Sequence, residues 1–354
     1  MRRILLATDA WSPQINGVVR TYQRLARELA EMGVALHVLG PGHFRCVPCP
    51  SYPEIGLALP DQKRCSALIE AAQADAIHIA TEGPVGWMAR RHCRRRKLPF
   101  TTSFHTRFAD YVHARWPIPE AWVYGLQRRF HAESAGVMVA TPSLAADLSA
   151  RGFTRLMAWT RGVDTDLFRP SGQRLFGAGP VFLYVGRVAV EKNIEAFLSA
   201  DLPGRKVVVG DGPQRAALSE RYPDVVFAGV HEGESLAACY ASADVFVFPS
   251  LTDTFGMVML EAMASGLPIA AFPVTGPKDL VVPGVSGVLS ADLGAAARTA
   301  MGLDKAQVRA AAEAFTWRAA AKMFLTNVDR AQAGARCASV TAEAGLLARI
   351  AARR

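Results

Sequence analysis

The 354-residue sequence predicts an α/β protein built of two doubly wound domains that face each other across a cleft. Three observations carry this. Short apolar runs of strand length alternate with stretches whose apolar residues recur every three or four positions. The alternation restarts after residue 170, beyond a segment rich in Pro, Gly and Asp. The length also suits two domains of roughly 100–200 residues each. With 51% hydrophobic and 20% charged residues the composition is globular, and a chain this long needs no disulfide or metal staple.

Ile4–Ala7 reads as a short buried strand, followed by a polar loop (Ser12 to Gly17) and a helix carrying Val18, Tyr22, Leu25, Leu29 and Met32 on one face. Gly33 ends that helix and Val34–Leu39 is the next strand, which completes a unit of parallel sheet. Ala76–Ala80, Phe100–Phe104 and Gly136–Ala140 extend the first sheet. In the second half, strands at Val181–Val185, Lys206–Val209, Val225–Phe227, Asp244–Phe248 and Pro268–Phe272 alternate with helices at Ile194–Ala200, Gln214–Arg221, Leu236–Ala241 and Met257–Ser265. Gly162–Gly172 has no period and reads as the linker. The expected divisions are 1–168, 169–314 and a helical tail over 315–354. Small side chains at Ala331, Ala333, Ala335, Ala338, Ala342 and Ala344, and the end Ala351-Ala352-Arg353-Arg354, predict a loosely packed basic helix or a frayed terminus.

Several classes drop out. No apolar run reaches 18 residues, so no transmembrane helix is expected. The start reaches Asp9 before an apolar leader can form, and six cysteines without a leader read as reduced cytoplasmic thiols. The first loop carries only Gly17 and lacks the Gly-x-Gly-x-x-Gly of a dinucleotide-binding dehydrogenase.

Chemistry concentrates in four loops that follow strands. In Pro249–Pro268, Asp253 lies on a polar loop and Gly256 opens a helix at Met257. Backbone N–H groups at such a helix start bind phosphate. Glu261, one turn further in, suits ribose hydroxyls, although alone it is equally compatible with a solvent-facing position. Arg187 and Lys192 share the loop Gly186–Asn193 and suit a diphosphate, Arg as a fork of donors and Lys as a point charge. Gly17 lets backbone approach a ligand closely. His105, directly after Phe104, can face the cleft.

Taken together, these four loops resemble the family 4 glycosyltransferases of GT-B fold. The segment Val163–Pro170 is similar to that family's interdomain segment, and Phe315-Thr316-Trp317 to its C-terminal crossover, so the resemblance spans about residues 1–330. It implies retaining transfer of a sugar from a nucleotide donor, with no cofactor and no bound metal. Arg187 and Lys192 would then hold the diphosphate and stabilise it as it leaves. Gly17, Met257 and Val258 would add backbone donors. Glu261 would bind the ribose, Asp253 with Phe255-Gly256 the donor sugar, and His105 would lie beside the anomeric centre. Gly210–Pro213 and Val230-His231 would border the base. Two residues depart from the pattern: the first acid is Asp253 where Glu is usual, and Arg161 stands where a small polar residue is common, which adds a charge to the linker or the cleft.

The net charge is +9 and is unevenly spread. Residues 1–170 hold 22 Lys and Arg against 14 Asp and Glu, while 171–354 hold 18 against 17. Arg90–Lys97 carries six cations in eight residues, and Trp116–Phe130 mixes aromatics with Arg128 and Arg129. Cations beside aromatics suit an anionic membrane surface. No nucleic-acid module is visible, so nucleic acid is not an expected partner. The N-terminal pattern Thr8–Thr21 with Pro50–Ile55 is similar to the branch holding bacterial diacylglycerol glycosyltransferases and mannosyltransferases. That similarity implies a lipid acceptor at the inner face of the cell membrane, or alternatively a soluble or polyprenol-linked saccharide. Asp164-Thr165-Asp166 and Cys46-Val47-Pro48-Cys49 imitate metal motifs, but the first lies in the linker and the second has no second Cys pair.

Overall fold

A computed structural model describes residues 1–14, 16–49, 52–113 and 118–351, with the side chains of 52–55, 110, 111, 113 and 335–351 excepted. The first half runs β1 (Arg2–Ala7), α1 (Gly17–Glu31), β2 (Val34–Leu39), β3 (Cys46–Cys49), β4 (Tyr52–Ala58), α2 (Gln62–Ala72), β5 (Ala76–Ile79), α3 (Pro84–Arg96), β6 (Phe100–Ser103), α4 (Phe108–His113), α5 (Glu120–His131), β7 (Gly136–Val139), α6 (Pro142–Ala150) and β8 (Leu156–Ala158). Six of these strands form a parallel sheet in the order β2-β1-β5-β6-β7-β8, with Leu6 paired to Val38 on one side and to His78 on the other.

The second half repeats the plan with β9 (Val181–Val185), α7 (Glu195–Leu198), β10 (Arg205–Val209), α8 (Arg215–Arg221), β11 (Val226–Gly229), α9 (Gly233–Ala241), β12 (Val245–Phe248), α10 (Met257–Ala264), β13 (Ile269–Ala271), α11 (Pro277–Leu280), β14 (Gly287–Leu289), α12 (Leu293–Ala300), α13 (Lys305–Glu313) and α14 (Trp317–Ala351). Its sheet is also parallel, in the order β11-β10-β9-β12-β13-β14. Strands buried on both faces explain the continuous apolar runs in the sequence. Val181–Val185 is buried throughout.

The helix expected over Ile194–Ala200 shrinks to α7, and the strands β8 and β14, three residues each, leave no sequence pattern. Cys46 and Cys49 lie on the antiparallel hairpin β3–β4 and not on a loop, with the Cys46 Sγ donating to the Pro41 carbonyl. Pro50 and Ser51 lie outside the described residues.

The chain ends back on the first domain. Val163 bridges to Thr316, and a Cβ on Gly162 would sit 2.3 Å from the Trp317 nitrogen, so linker and crossover touch backbone to backbone. Along α14, the Ala320 carbonyl accepts from Trp159 Nε1 (3.1 Å), Asn327 donates to the Ala158 carbonyl (2.8 Å) and Phe324 enters the core beside Tyr22, His78 and Trp159. α14 continues to Ala351 as one helix. The alanines from Ala335 onward and Arg353-Arg354 lie outside the residues whose side chains are described. Asp164 serves as a turn cap: one oxygen accepts from the Leu167 N–H and the other pairs with Arg24 of α1 at 2.9 Å.

Candidate active site

On the second domain, loops after β9, β10 and β12 converge. Gly210, at φ +135°, lies so close to the Gly186 carbonyl that a Cβ there would come within 1.9 Å of it. Val188 N–H donates to the Asp211 carbonyl (2.9 Å), which ties the Arg187 loop to Gly210–Pro213. Asn193 reaches the Pro249 carbonyl (3.1 Å) and Thr252 the Glu191 carbonyl (3.3 Å), which fastens the same loop to the one carrying Asp253. Lys192 then grips Asp253 with both carboxylate oxygens in reach, at 2.7 and 2.8 Å. Both side chains stay 19% exposed, so the pair is open to a ligand.

Gly256 takes φ +86°, where a Cβ would also strike Met259 at 2.6 Å, and so only glycine fits. It offers no side chain to cap α10, which leaves the helix start at Met257 and Val258 without a side-chain acceptor. Phe255 is buried beneath it. Glu261 does not face solvent: it is 7% exposed and accepts from Tyr240 Oη at 2.9 Å. Burial pushes its carboxyl above the usual range, with Arg20, Tyr240 and Arg24 opposing the rise. A cavity of about 340 Å³ between the domains is lined by Arg20, Arg24, Glu232, Met257, Glu261 and Trp317. Val230, 59% exposed, lies two residues before Glu232, whose carboxylate pairs with Arg20 at 3.3 Å.

The first domain presents Gly17 and His105. Gly17 is the first residue of α1, and a Cβ there would meet nothing within 4 Å, so the backbone faces open space. Asn16 caps α1 by accepting from Val18 and Val19 (both 3.0 Å). His105 corrects the expectation of a ring turned to the cleft. Its Nε2 meets Tyr22 Oη (3.0 Å) and its Nδ1 meets Arg161 Nη2 (3.2 Å), so both nitrogens point into the domain. Burial and the nearby Arg161, His78 and His131 hold it well below the usual histidine range, and it is neutral. What His105 shows the second domain is its carbonyl, which accepts from Thr254 Oγ1 at 2.8 Å. Arg107 donating to Thr275 (3.2 Å) and Ser143 donating to Asp279 through its N–H (2.9 Å) close the same seam. Arg161 itself is buried and not a free charge of the cleft.

The structure therefore brings Arg187, Lys192, Asp253, Gly256, Met257 and Val258 together on one side, with Glu261 in the interdomain cavity and His105 and Gly17 opposite. Sequence reasoning missed Tyr22, Tyr240 and Arg20. The two tyrosines sit at apolar helix positions and read as core, which they also are. No group of three or more His, Cys, Asp or Glu among the described residues is placed to hold a metal ion.

On the outer face of the first domain the basic run is not uniformly solvated. Arg90 is buried, donating to the Phe130 and Arg129 carbonyls (2.8 and 2.9 Å), and His92 and Cys93 are buried beside it. Arg91, Arg94 and Arg95 remain exposed and line a surface cavity with Glu133. On α5, Tyr124, Gln127 and Phe130 face inward, whereas Trp122 is 75% and Leu126 55% exposed. Trp116 and Pro117 lie outside the described residues.

Comparison with known proteins agrees with this fold. A family model described as Glycosyltransferase Family 4 matches residues 15–167, and one described as Glycosyl transferases group 1 matches residues 179–303. The chain is 31% identical to the sulfoquinovosyl transferase SQD2 of Arabidopsis thaliana over 79% of its own length, and that alignment spans 61% of the plant protein. It is 30% identical to the GDP-mannose-dependent alpha-mannosyltransferase of Mycobacterium tuberculosis, covering 81% of this chain and 83% of that one. It is 28% identical to the alpha-monoglucosyldiacylglycerol synthase of Streptococcus pneumoniae (76% and 70%). Among solved structures, sucrose-phosphate synthase from Thermosynechococcus elongatus superposes with a TM-score of 0.73 at 22% identity, covering 92% of this chain and 98% of that one. Anabaena HepE in complex with UDP superposes with a TM-score of 0.67 at 15% identity (93% and 100%). The chain belongs to the family 4 glycosyltransferases and has their GT-B fold.

Proposed function

We propose that this glycosyltransferase moves a sugar from a nucleotide donor, first of all a UDP-sugar, to the hydroxyl of a membrane lipid such as diacylglycerol, with retention at the anomeric carbon. In this reading Arg187 and Lys192 take the diphosphate, assisted by the N–H groups of Met257 and Val258 and by the backbone at Gly17. Charge develops on the leaving diphosphate as the glycosidic bond breaks. Cations and amide dipoles already aimed there stabilise it without reorganisation. Glu261 accepts from the ribose hydroxyls, and Val230 borders the base. Asp253, held by Lys192 at 2.7 Å, orients sugar hydroxyls, and His105 borders the anomeric centre through its backbone. No metal enters the scheme.

One observation supports the lipid acceptor above the alternatives: the outward face of α5. Trp122 and Leu126 are exposed there, next to exposed Arg128 and Arg129 and on the domain that carries Arg91, Arg94 and Arg95. Apolar anchors enter the acyl boundary while cations meet anionic headgroups, each near cation contributing about 1 kcal/mol. The enzyme would then be peripheral on the cytoplasmic face of a membrane. No helix among the described residues is long and apolar enough to cross one. The similarity to GDP-mannose-dependent mannosyltransferases favours a second reading, a mannosyltransferase acting on a soluble or polyprenol-linked saccharide. Incubating the enzyme with labelled UDP-sugars or GDP-mannose and a total lipid extract separates the two. A labelled glycolipid formed from a UDP-sugar is the expected product. Label transferred only from GDP-mannose to a water-soluble or polyprenol-linked saccharide overturns the first reading in favour of the second.

A further inference from the structure

We propose that Arg161 is the positioning residue for His105, fixing its tautomer and its place at the seam between the domains. The inference rests on the reading that His105 borders the reacting sugar. Arg161 is 3% exposed and donates to two backbone carbonyls and to His105. Nη1 donates to the Trp159 and Thr160 carbonyls (2.7 and 3.1 Å), the guanidinium carbon lies 4.1 Å from the Trp159 ring centroid, and Nη2 reaches His105 Nδ1 at 3.2 Å. Such a buried cation is costly unless its donors are used.

The consequence for His105 follows from donor counting. A guanidinium has only donors, so Nδ1 must offer a lone pair and the imidazole proton must sit on Nε2. Nε2 then donates to Tyr22 Oη (3.0 Å), and Tyr22 passes its own proton to His78 Nε2 (2.8 Å) or Ser103 Oγ (3.2 Å). With Tyr22 donating to His78, His78 donates from Nδ1 to Thr101 Oγ1 at 2.8 Å. One cation thereby sets the direction of the chain from Arg161 through His105 to Tyr22, and it runs on through His78 to Thr101 when Tyr22 donates to His78.

Arg161 is well placed to couple this chain to domain position. It stands at the entry to the linker, one residue before Gly162, which is clamped against the crossover at Trp317. His105 is thus held on its ring by the linker and by α1, and on its carbonyl by Thr254 of the donor-side loop. The titratable and charged groups facing His105 are Arg161 from the linker, Tyr22 from α1, His78 from β5 and His131 from α5. None is an anion at neutral pH with the tyrosine protonated, and together they disfavour an imidazolium.

The test uses the full-length protein with nitrogen-15 labelled histidine. In the wild type, His105 should show an unprotonated Nδ1 and a protonated Nε2 throughout the accessible pH range. A proton on Nδ1 overturns the proposal before any variant is made. In Arg161→Met the tautomer should become mixed and His105 should begin to titrate. Nucleoside diphosphate release from a panel of UDP-hexoses and GDP-mannose should fall in kcat roughly ten- to hundredfold, because a misplaced group is costly in rate. Donor KM should stay within about twofold, and kcat should gain an acid limb absent from the wild type. Arg161→Lys, which keeps a donor and the charge, should restore the Nε2–H tautomer and most of kcat. Loss of activity in Arg161→Met with the tautomer and pH profile unchanged would reduce Arg161 to a structural role and sink the proposal. Unchanged kcat in His105→Ala would instead remove the functional reading of His105, while the tautomer measurement still decides the pairing.

Discussion

The two faces of the cleft work by opposite physical means. The second domain keeps charge within reach of solvent: Lys192 and Asp253 are a partly exposed pair, and α10 begins with backbone N–H groups that no side chain caps. On the first domain a neutral hydrogen-bonded chain of His105, Tyr22 and His78 lies buried with a guanidinium at one end, while Arg20 and Arg24 of α1 reach the cavity in front of it. The sequence-wide charge runs the other way, since residues 1–170 hold the surplus of cations and 171–354 are nearly balanced. The net charge of a half therefore says little about the charge at its site. In the first half the surplus lies largely on the outer surface, on α3 and α5. In the second, a few cations are aimed inward by strand ends.

The sharpest way to break this comparison is Lys192→Ala. If the donor side acts through charge, removing one preorganised cation should lower kcat by about 10²–10³-fold, with circular dichroism unchanged. Turnover within threefold of wild type in the folded variant would take Lys192 out of the site. Next in size is the outer surface. Replacing Trp122 and Leu126 together by Glu removes apolar anchors worth roughly 1.5–3 kcal/mol each when buried. Flotation with anionic vesicles at low salt should drop at least tenfold, while nucleotide-sugar hydrolysis in solution stays unchanged. Wild-type flotation by the double variant would disconnect α5 from any membrane.

Most of the fold was legible because both sheets are parallel and buried on both faces, which forces continuous apolar runs such as Val181–Val185. The strands β8 and β14 were not, since their three residues stand in no apolar run as long as Pro268–Phe272, which holds the equally short β13. The convergence of the Arg187 and Asp253 loops could be read because such loops use residue types with few alternative roles, such as Gly256 in left-handed backbone before a helix. The acceptor side resisted for a physical reason. His105 was visible, but which way an imidazole turns depends on its partners, and those come from α1 and the linker, 83 and 56 positions away. Arg90 misled in the same manner: a cation in a basic run looks solvated until the carbonyls of Phe130 and Arg129 bury it.

Glu261 sharpens the comparison through stability. Burial raises its carboxyl pKa in the folded protein. A group raised on folding supports the fold fully below its unfolded value, and that support is lost as pH rises through the folded value. Glu261→Gln imitates the protonated form and can still accept from Tyr240. It should therefore melt at a higher temperature than wild type near pH 8, and the gap should close as pH falls below the ordinary glutamate range. Donor KM should rise about tenfold, the cost of a weakened charged hydrogen bond. A lower melting temperature at pH 8 would mean that the ionised carboxylate is better stabilised than its surroundings indicate.

The smallest effect should come from Arg20, the point where the two sides exchange charge. Its pair with Glu232 is 3.3 Å long and both side chains are partly exposed, which limits it to about 0.2–1 kcal/mol. Yet Arg20 also lowers the pKa of Glu261 from across the cavity, so it favours the ionised carboxylate that the proposed ribose contact uses. Arg20→Ala should raise donor KM about two- to fivefold, through weaker closure and a less ionised Glu261, and the effect should shrink at high salt as the exposed pair is screened. Glu232→Ala removes only the closure contact. In a double-mutant cycle on donor KM, Arg20→Ala should therefore retain a residual effect in the Glu232→Ala background, and that residual should vanish in Glu261→Gln. A residual that survives Glu261→Gln would show that Arg20 touches the nucleotide itself, which would put a cation of the acceptor domain directly into the donor site.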